Sequence, residues 1–303
     1  MNLINGLITP MITPFNRDES QSINYDSTKE MIEHLIHKGV DGLFLLGSNG
    51  EMHVITNEEK VKFAEFVINE VRGRIPVYVG TGGCSTKETI ELSIKMEQIG
   101  ADALSVLPPY FIKPAEKELY EHFISIAKSV SIPLILYNIP KNVGYSLSPE
   151  LVGKLSKIKN IKGIKDSSGD LDLLQKYINI SEKSDLNVLI GSDSKIVPAY
   201  QMGARGAVAG TSNLLTEQLV GLNYELLNDN NVEKIAQYQE DIEYLRAVLK
   251  FGTVPSIIKR SVELAGIADV GPARRPVLEI TKEGDNEIKK MLNQVGLLNE
   301  TLN

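Results

Sequence analysis

The sequence predicts an α/β fold, a (β/α)8 TIM barrel with a C-terminal helical region. Three observations carry that prediction. Eight short runs are near-continuously apolar rather than alternating, as parallel strands buried on both faces are. Amphipathic helical stretches separate them. Eight such units fall within about 225 residues, which favours closure into a barrel over an open doubly wound sheet.

The runs, in order, are "LITPMI" (7–12), "GLFLL" (42–46), "PVYVG" (76–80), "ALSVL" (103–107), "PLILYN" (133–138), "IKGIKD" (161–166), "NVLIG" (187–191) and "GAVAG" (206–210). Helical patterns between them include "TKEMIEHLIHKG" (28–39), "NEEKVKFAEFVINEV" (57–71) and "TKETIELSIKMEQIG" (86–100). The first and third end in glycine, a common helix stop, and Asn57 and Thr86 stand where N-caps are expected. After "TSNLL" (211–215) the strand signal stops. The remainder reads as about three helices, among them "VEKIAQYQEDIEYLRAVLK" (232–250) and "VPSIIKRSVELAG" (254–266). The expected organisation is a catalytic barrel over residues 1–225 and a helical region over 226–303 packed on it.

Composition narrows the function. Hydrophobic residues are 42% and charged residues 23%, as in ordinary globular domains. A net charge of -7 with no basic cluster argues against a nucleic-acid surface. No apolar run approaches the roughly 18 residues that a membrane helix needs. The start "MNLINGLITP" has no basic segment leading into a long apolar core, so no secretory signal is expected. The single cysteine, Cys84, excludes an intramolecular disulfide and fits a reducing, cytoplasmic setting.

Barrel enzymes carry their chemistry at the C-terminal ends of the strands. Those ends read "GSNGE" (47–51), "PPYF" (108–111), "YNIP" (137–140), "KDSSGD" (165–170) and "GSDS" (191–194). Lys165 would stand near the end of a buried strand. Burial favours the neutral form of an amine, which is the form that attacks a ketone to make a Schiff base. Taken alone, it could equally be a lysine snorkelling to the rim beside Asp166. Tyr137 closes the preceding strand, so it would flank Lys165, and a phenol can move protons through carbinolamine and imine steps. The "GSNGE" loop offers the Ser48 hydroxyl, the Asn49 amide and backbone N–H groups, which suits a carboxylate or oxyanion; a tight turn that simply needs glycine is the plainer alternative. His34 and His37, three apart on one helix, read as surface or packing residues, and Cys84 reads as a loop residue.

The order "GLITPMITPF", "GSNGE", "PPYFIKP", "LYNIP" and "GIKDSSGD" resembles the dihydrodipicolinate synthase/N-acetylneuraminate lyase family of class I pyruvate-dependent aldolases, over essentially the whole chain. The 28 residues between Tyr137 and Lys165 match the family spacing. The resemblance implies that Lys165 forms the Schiff base with pyruvate. It makes Tyr137 the proton shuttle, assisted by Ser48, and gives the pyruvate carboxylate to Ser48 and Asn49. It also lines the substrate pocket with Asn142, Gly191, Asp193 and Val208. No metal or organic cofactor is implied, because the iminium acts as the electron sink. Subunits of the family meet at the barrel mouth, so apolar "PPYF" implies a homodimer or a tetramer of dimers.

Departures from the family pattern bear on the substrate. Synthases usually show Thr-Thr where this chain has Ser48-Asn49, and two tyrosines where it has Tyr110-Phe111. They carry an arginine at the position of Asn142 to grip the carboxylate of the incoming aldehyde. Losing a desolvated Arg–carboxylate contact removes on the order of 2–5 kcal/mol. Sialate lyases usually have glutamate where Ser194 follows Asp193. Lysine feedback is not expected, since Cys84 replaces an asparagine, although Glu88 and Tyr110 match. The departures lean towards cleavage or synthesis of a 2-keto-3-deoxy acid, with pyruvate as keto product or donor. The alternative is a 4-hydroxy-tetrahydrodipicolinate synthase, joining pyruvate to aspartate semialdehyde. A sugar-acid dehydratase, an N-acetylneuraminate lyase and a non-catalytic keto-acid-binding paralogue complete the range.

Overall fold

The strands are β1 (Gly6–Pro10), β2 (Gly42–Leu45), β3 (Val77–Gly80), β4 (Ala103–Val106), β5 (Leu134–Asn138), β6 (Ile161–Asp166), β7 (Asn187–Ile190) and β8 (Gly206–Val208). In the computed structural model, which describes residues 4–298, they hydrogen-bond in chain order and close into a barrel. The expected regions' outermost residues, 1–3 and 299–303, lie outside the described residues. Register is parallel from β3 through β8 and back to β1. Nearly every strand residue is buried, the signature of strands covered on both faces.

Each strand falls on its expected run, and most are trimmed by a residue or two. Burial that continues past the strand end explains the trimming. Met11 and Ile12 are fully buried, but they lie past the end of β1. The Met11 N–H donates to the Phe44 carbonyl at 3.0 Å, and the Ile12 N–H to the Asn213 side-chain oxygen at 3.1 Å. Leu46 leaves β2 because its φ is 57°, in the left-handed region.

The helices are α1 (Tyr25–Lys38), α2 (Asn57–Val71), α3 (Thr86–Gln98), α4 (Glu116–Ser129), α5 (Pro140–Val143), α6 (Pro149–Leu155), α7 (Leu171–Ser181) and α8 (Ile196–Met202). After β8 come α9 (Thr216–Leu227), α10 (Val232–Val248), α11 (Val254–Leu264) and α12 (Lys282–Gln294). The expected N-caps at Asn57 and Thr86 are corrected by one residue. Thr56 caps α2 in a capping box with Glu59, and Ser85 caps α3 by accepting from the Glu88 N–H. The residue that stays extended is the one whose oxygen can reach the third N–H of the helix, which places Asn57 and Thr86 inside the first turn.

By compactness the chain divides into two units. One joins the segment through Ile8 to Pro76–Ala209 and holds β3–β8 with α3–α8. The other joins Thr9–Ile75 to the chain from Gly210 on, and holds β2, α1, α2 and α9–α12. Among the described residues, no helix is long and apolar enough to cross a membrane.

Candidate active site

Register brings the first two candidates together. In parallel pairing of β5 with β6, Tyr137 lies opposite Lys165, and Asn138 opposite Asp166. Lys165 is 4% exposed and Tyr137 3%. Lys165 Nζ stands 4.0 Å from the centroid of the Tyr137 ring. An amine buried at a strand end beside a phenol has the makings of a carbonyl-attacking nucleophile with a proton carrier alongside.

One residue further along, a hydrogen-bonded clasp joins the same strands. Asn138 Nδ2 donates to Asp166 Oδ1 at 2.7 Å, and Asn138 Oδ1 accepts from the Leu147 N–H at 2.9 Å. Asp166 also accepts from the Ser168 hydroxyl at 2.8 Å and the Ser168 N–H at 3.2 Å. Both residues are fully buried. Burial pushes the Asp166 carboxyl above its ordinary range, and the Asn138 and Ser168 donors act against that.

Gly191 has a steric reason to be glycine. A Cβ there would stand 2.1 Å from Ser167 Oγ and 2.9 Å from Lys165 Cε, displacing the lysine stem. Asp193 begins a single 3-10 turn beyond β7 and is buried. Val208 is the last residue of β8, buried and paired with Ile8.

Ser48 and Asn49 are half-buried in the loop after β2. Two left-handed non-glycine residues bracket that loop, Leu46 (φ 57°) and Glu51 (φ 56°). The Glu51 N–H donates to the Ser48 carbonyl at 3.2 Å and closes the turn. Thr13 Oγ1 donates to the Gly50 carbonyl at 2.8 Å. Gly210 leaves room for the Asn49 amide, since a Cβ there would come within 2.6 Å of Asn49 Nδ2.

Glu51, Lys259 and Arg274 are not among the residues expected from sequence to carry a role. Glu51 and Lys259 are each 1% exposed, and Lys259 Nζ stands 2.6 Å from Glu51 Oε1. The other Glu51 oxygen accepts from the Arg274 N–H at 2.8 Å. Burial drags the Lys259 amine down to about 8, against the pull of Glu51. One signal was available in the sequence. Lys259 follows Pro255 by four residues and precedes Val262 by three, so it occupies the buried face of α11.

The remaining candidates lie towards solvent. Asn142 is exposed on α5, a single helical turn begun by Pro140. Phe111 is 95% exposed with φ 79°, and Ile112 is 73% exposed. Beside them the Tyr145 hydroxyl donates to the Pro109 carbonyl, and burial pushes its phenol up to about 12. Cys84 is exposed, with its thiol 3.2 Å from the Tyr110 carbonyl. Among the described residues, no three His, Cys, Asp or Glu side chains gather into a metal-holding group.

The family model described as the dihydrodipicolinate synthetase family matches residues 3–295. The chain belongs to this family. Its curated relatives include the 4-hydroxy-tetrahydrodipicolinate synthase of Methanopyrus kandleri, 35% identical over 98% of both chains. The enzyme of the same name from a Thermoanaerobacter species is 33% identical over 99% of both. Dihydrodipicolinate synthase from Aquifex aeolicus superposes with a TM-score of 0.91 at 30% identity, covering 98% of this chain and 100% of its own. YagE, a prophage protein of the family from E. coli K12 solved with pyruvate, gives 0.92 at 33% identity, over 97% and 99%. Membership bears out the family expected from the motifs, and members are class I pyruvate-dependent lyases and aldolases. The relatives' names favour the synthase alternative over the keto-deoxy acid reaction to which the sequence departures lean.

Proposed function

We propose that this chain is a lysine Schiff-base enzyme that condenses pyruvate with an aldehyde, and that its reaction is the 4-hydroxy-tetrahydrodipicolinate synthase condensation. The observation that carries the reading is the Lys165 amine buried 4.0 Å from the Tyr137 ring, at the C-terminal end of β6. The relatives' names supply the reaction, and the family resemblance implies its acceptor, aspartate semialdehyde.

In this reading neutral Lys165 attacks C2 of pyruvate. Tyr137 returns a proton to the departing hydroxyl, and water leaves to give the iminium. The iminium withdraws electrons from C3, which loses a proton to become an enamine. The enamine carbon attacks the aldehyde carbon, and a proton delivered through Tyr137 neutralises the new alkoxide. Water, or the acceptor's own amine, then displaces Lys165 from C2. Ser48 and Asn49 take the pyruvate carboxylate. Gly191 keeps the Lys165 stem unobstructed, and Asp193 and Val208 line the pocket.

A second reading, a 2-keto-3-deoxy acid aldolase, is favoured by the uncharged Asn142 and by Phe111, which has no hydroxyl. Asn142 offers donors but no charge to a second carboxylate. Two measurements test both levels. Borohydride with pyruvate should leave a mass adduct on the wild type and none on Lys165→Ala; an unmodified wild type overturns the Schiff-base chemistry. The ratio of kcat/KM for aspartate semialdehyde condensation to that for pyruvate release from a neutral-tailed 2-keto-3-deoxy sugar acid should exceed one. A ratio below one, reversed by Asn142→Arg, promotes the second reading.

The enzyme assembles as a homodimer or a tetramer of dimers and works in the cytoplasm. Phe111 and Ile112 support assembly, because an aromatic held exposed at a left-handed φ presents apolar area to a neighbour. A monomeric sedimentation coefficient at micromolar concentration refutes it.

A further inference from the structure

We infer that the buried Glu51–Lys259 ion pair is a positioning device for the Ser48–Asn49 loop, which makes α11 of the C-terminal region a working part of the site. The inference rests on the reading above in assigning the pyruvate carboxylate to that loop.

Glu51 is the residue that closes the turn. Its N–H holds the Ser48 carbonyl, and its own backbone is left-handed at a position where no glycine relieves it. A residue in that region persists only where its surroundings over-determine it. The surroundings here come from the C-terminal part of the chain and from Phe15. Lys259 Nζ meets Glu51 Oε1 at 2.6 Å, donates to the Pro272 carbonyl at 3.0 Å, and lies 4.1 Å from the Phe15 ring centroid. The Arg274 N–H holds the second Glu51 oxygen. Arg274 is held in turn, its guanidinium donating to the carbonyls of Gln21 and Val54 and to Glu59.

Stability alone does not account for such a pair. Replacing a buried ion pair by apolar residues of similar volume is often neutral or stabilising, whereas removing one partner is strongly destabilising. What the pair adds is direction. A carboxylate gripped from both sides fixes where Glu51 points, and so fixes the turn that presents Ser48 and Asn49.

The test compares Lys259→Met with the double variant Glu51→Gln/Lys259→Met. The single variant strands a buried carboxylate and should melt well below wild type. The double should return to within about 3 °C of the wild-type Tm. It should still show KM for pyruvate raised about tenfold or more, while the borohydride-trapping rate at saturating pyruvate stays within about twofold. Amide exchange at residues 48–51 should accelerate in the double and stay at the wild-type rate in β5 and β6. Wild-type pyruvate KM together with wild-type loop exchange in a stably folded double overturns the inference. If wild-type protein traps no pyruvate, the functional reading falls, and loop exchange alone then decides the positioning claim. If the double does not fold, Glu51→Asp substitutes for it. It keeps the charge but shortens the reach, so it should raise pyruvate KM; an unchanged KM counts against the pair.

Discussion

The Lys165–Tyr137 pair and the Ser48–Asn49 loop are held by opposite means. Lys165 and Tyr137 sit opposite each other in a regular parallel ladder, secured by the Asn138–Asp166 hydrogen bond at the next register position. Ser48 and Asn49 sit in a turn with left-handed residues at both flanks, and the turn is held by an ion pair to a helix far along the chain. A ladder determines side-chain position through repeated backbone bonds. A turn has few such bonds, so its shape must come from side chains that reach it. Side chains placed on the strands should therefore be robust to distant substitution, whereas on the proposed reading the geometry of this loop depends on the C-terminal helices.

Three substitutions sharpen or break that contrast. Tyr137→Phe should have the largest effect. The ladder is intact without the hydroxyl, so the Tm should stay near wild type while kcat falls by about 10²–10⁴-fold, the usual contribution of a positioned proton carrier. Steady-state kinetics beside a melting curve decides this, and a kcat loss below about threefold removes Tyr137 from the mechanism. Asn138→Ala should come next. It leaves Asp166 with its Ser168 donors alone and strands the buried Leu147 N–H, which costs about 1–3 kcal/mol. The loss should appear in denaturant unfolding and in faster exchange confined to β5 and β6. If pyruvate KM moves as well, the two regions are coupled and the contrast is too sharp.

The smallest effect concerns acid. Hydrogen bonds from Arg274 hold the Glu59 carboxyl at about 2, below its ordinary 4.5. A carboxyl lowered by folding contributes stability in full above about 4.5 and loses it as pH falls towards about 2. Glu59 is partly open to solvent, which keeps the contribution small. Glu59→Gln should flatten the Tm–pH curve in that window and leave it parallel to wild type above pH 6. A wild-type slope between pH 2 and 4.5 would show that Arg274 takes nothing from Glu59.

Much of the barrel was legible because burial on two faces leaves an unbroken apolar run whatever the neighbours are. "IKGIKD" reads as a strand and is β6 residue for residue. The other runs overshoot, because residues such as Met11 and Ile12 are as apolar and buried as strand residues yet lie past the strand's end. The caps at Thr56 and Ser85 were missed by one position, since Asn57 and Thr86 are also good cap formers and only backbone geometry separates them.

The same division holds for the candidate site. Lys165 and Tyr137 could be placed side by side from sequence, because consecutive strands of a barrel are neighbours and residues at matching strand ends meet. Glu51 and Lys259 could not be matched. A lysine on the apolar face of α11 announces a buried charge, but nothing local names its partner. That partner is decided by the fold of the chain around α11, where a buried ammonium must find the carboxylate that offsets its lost hydration.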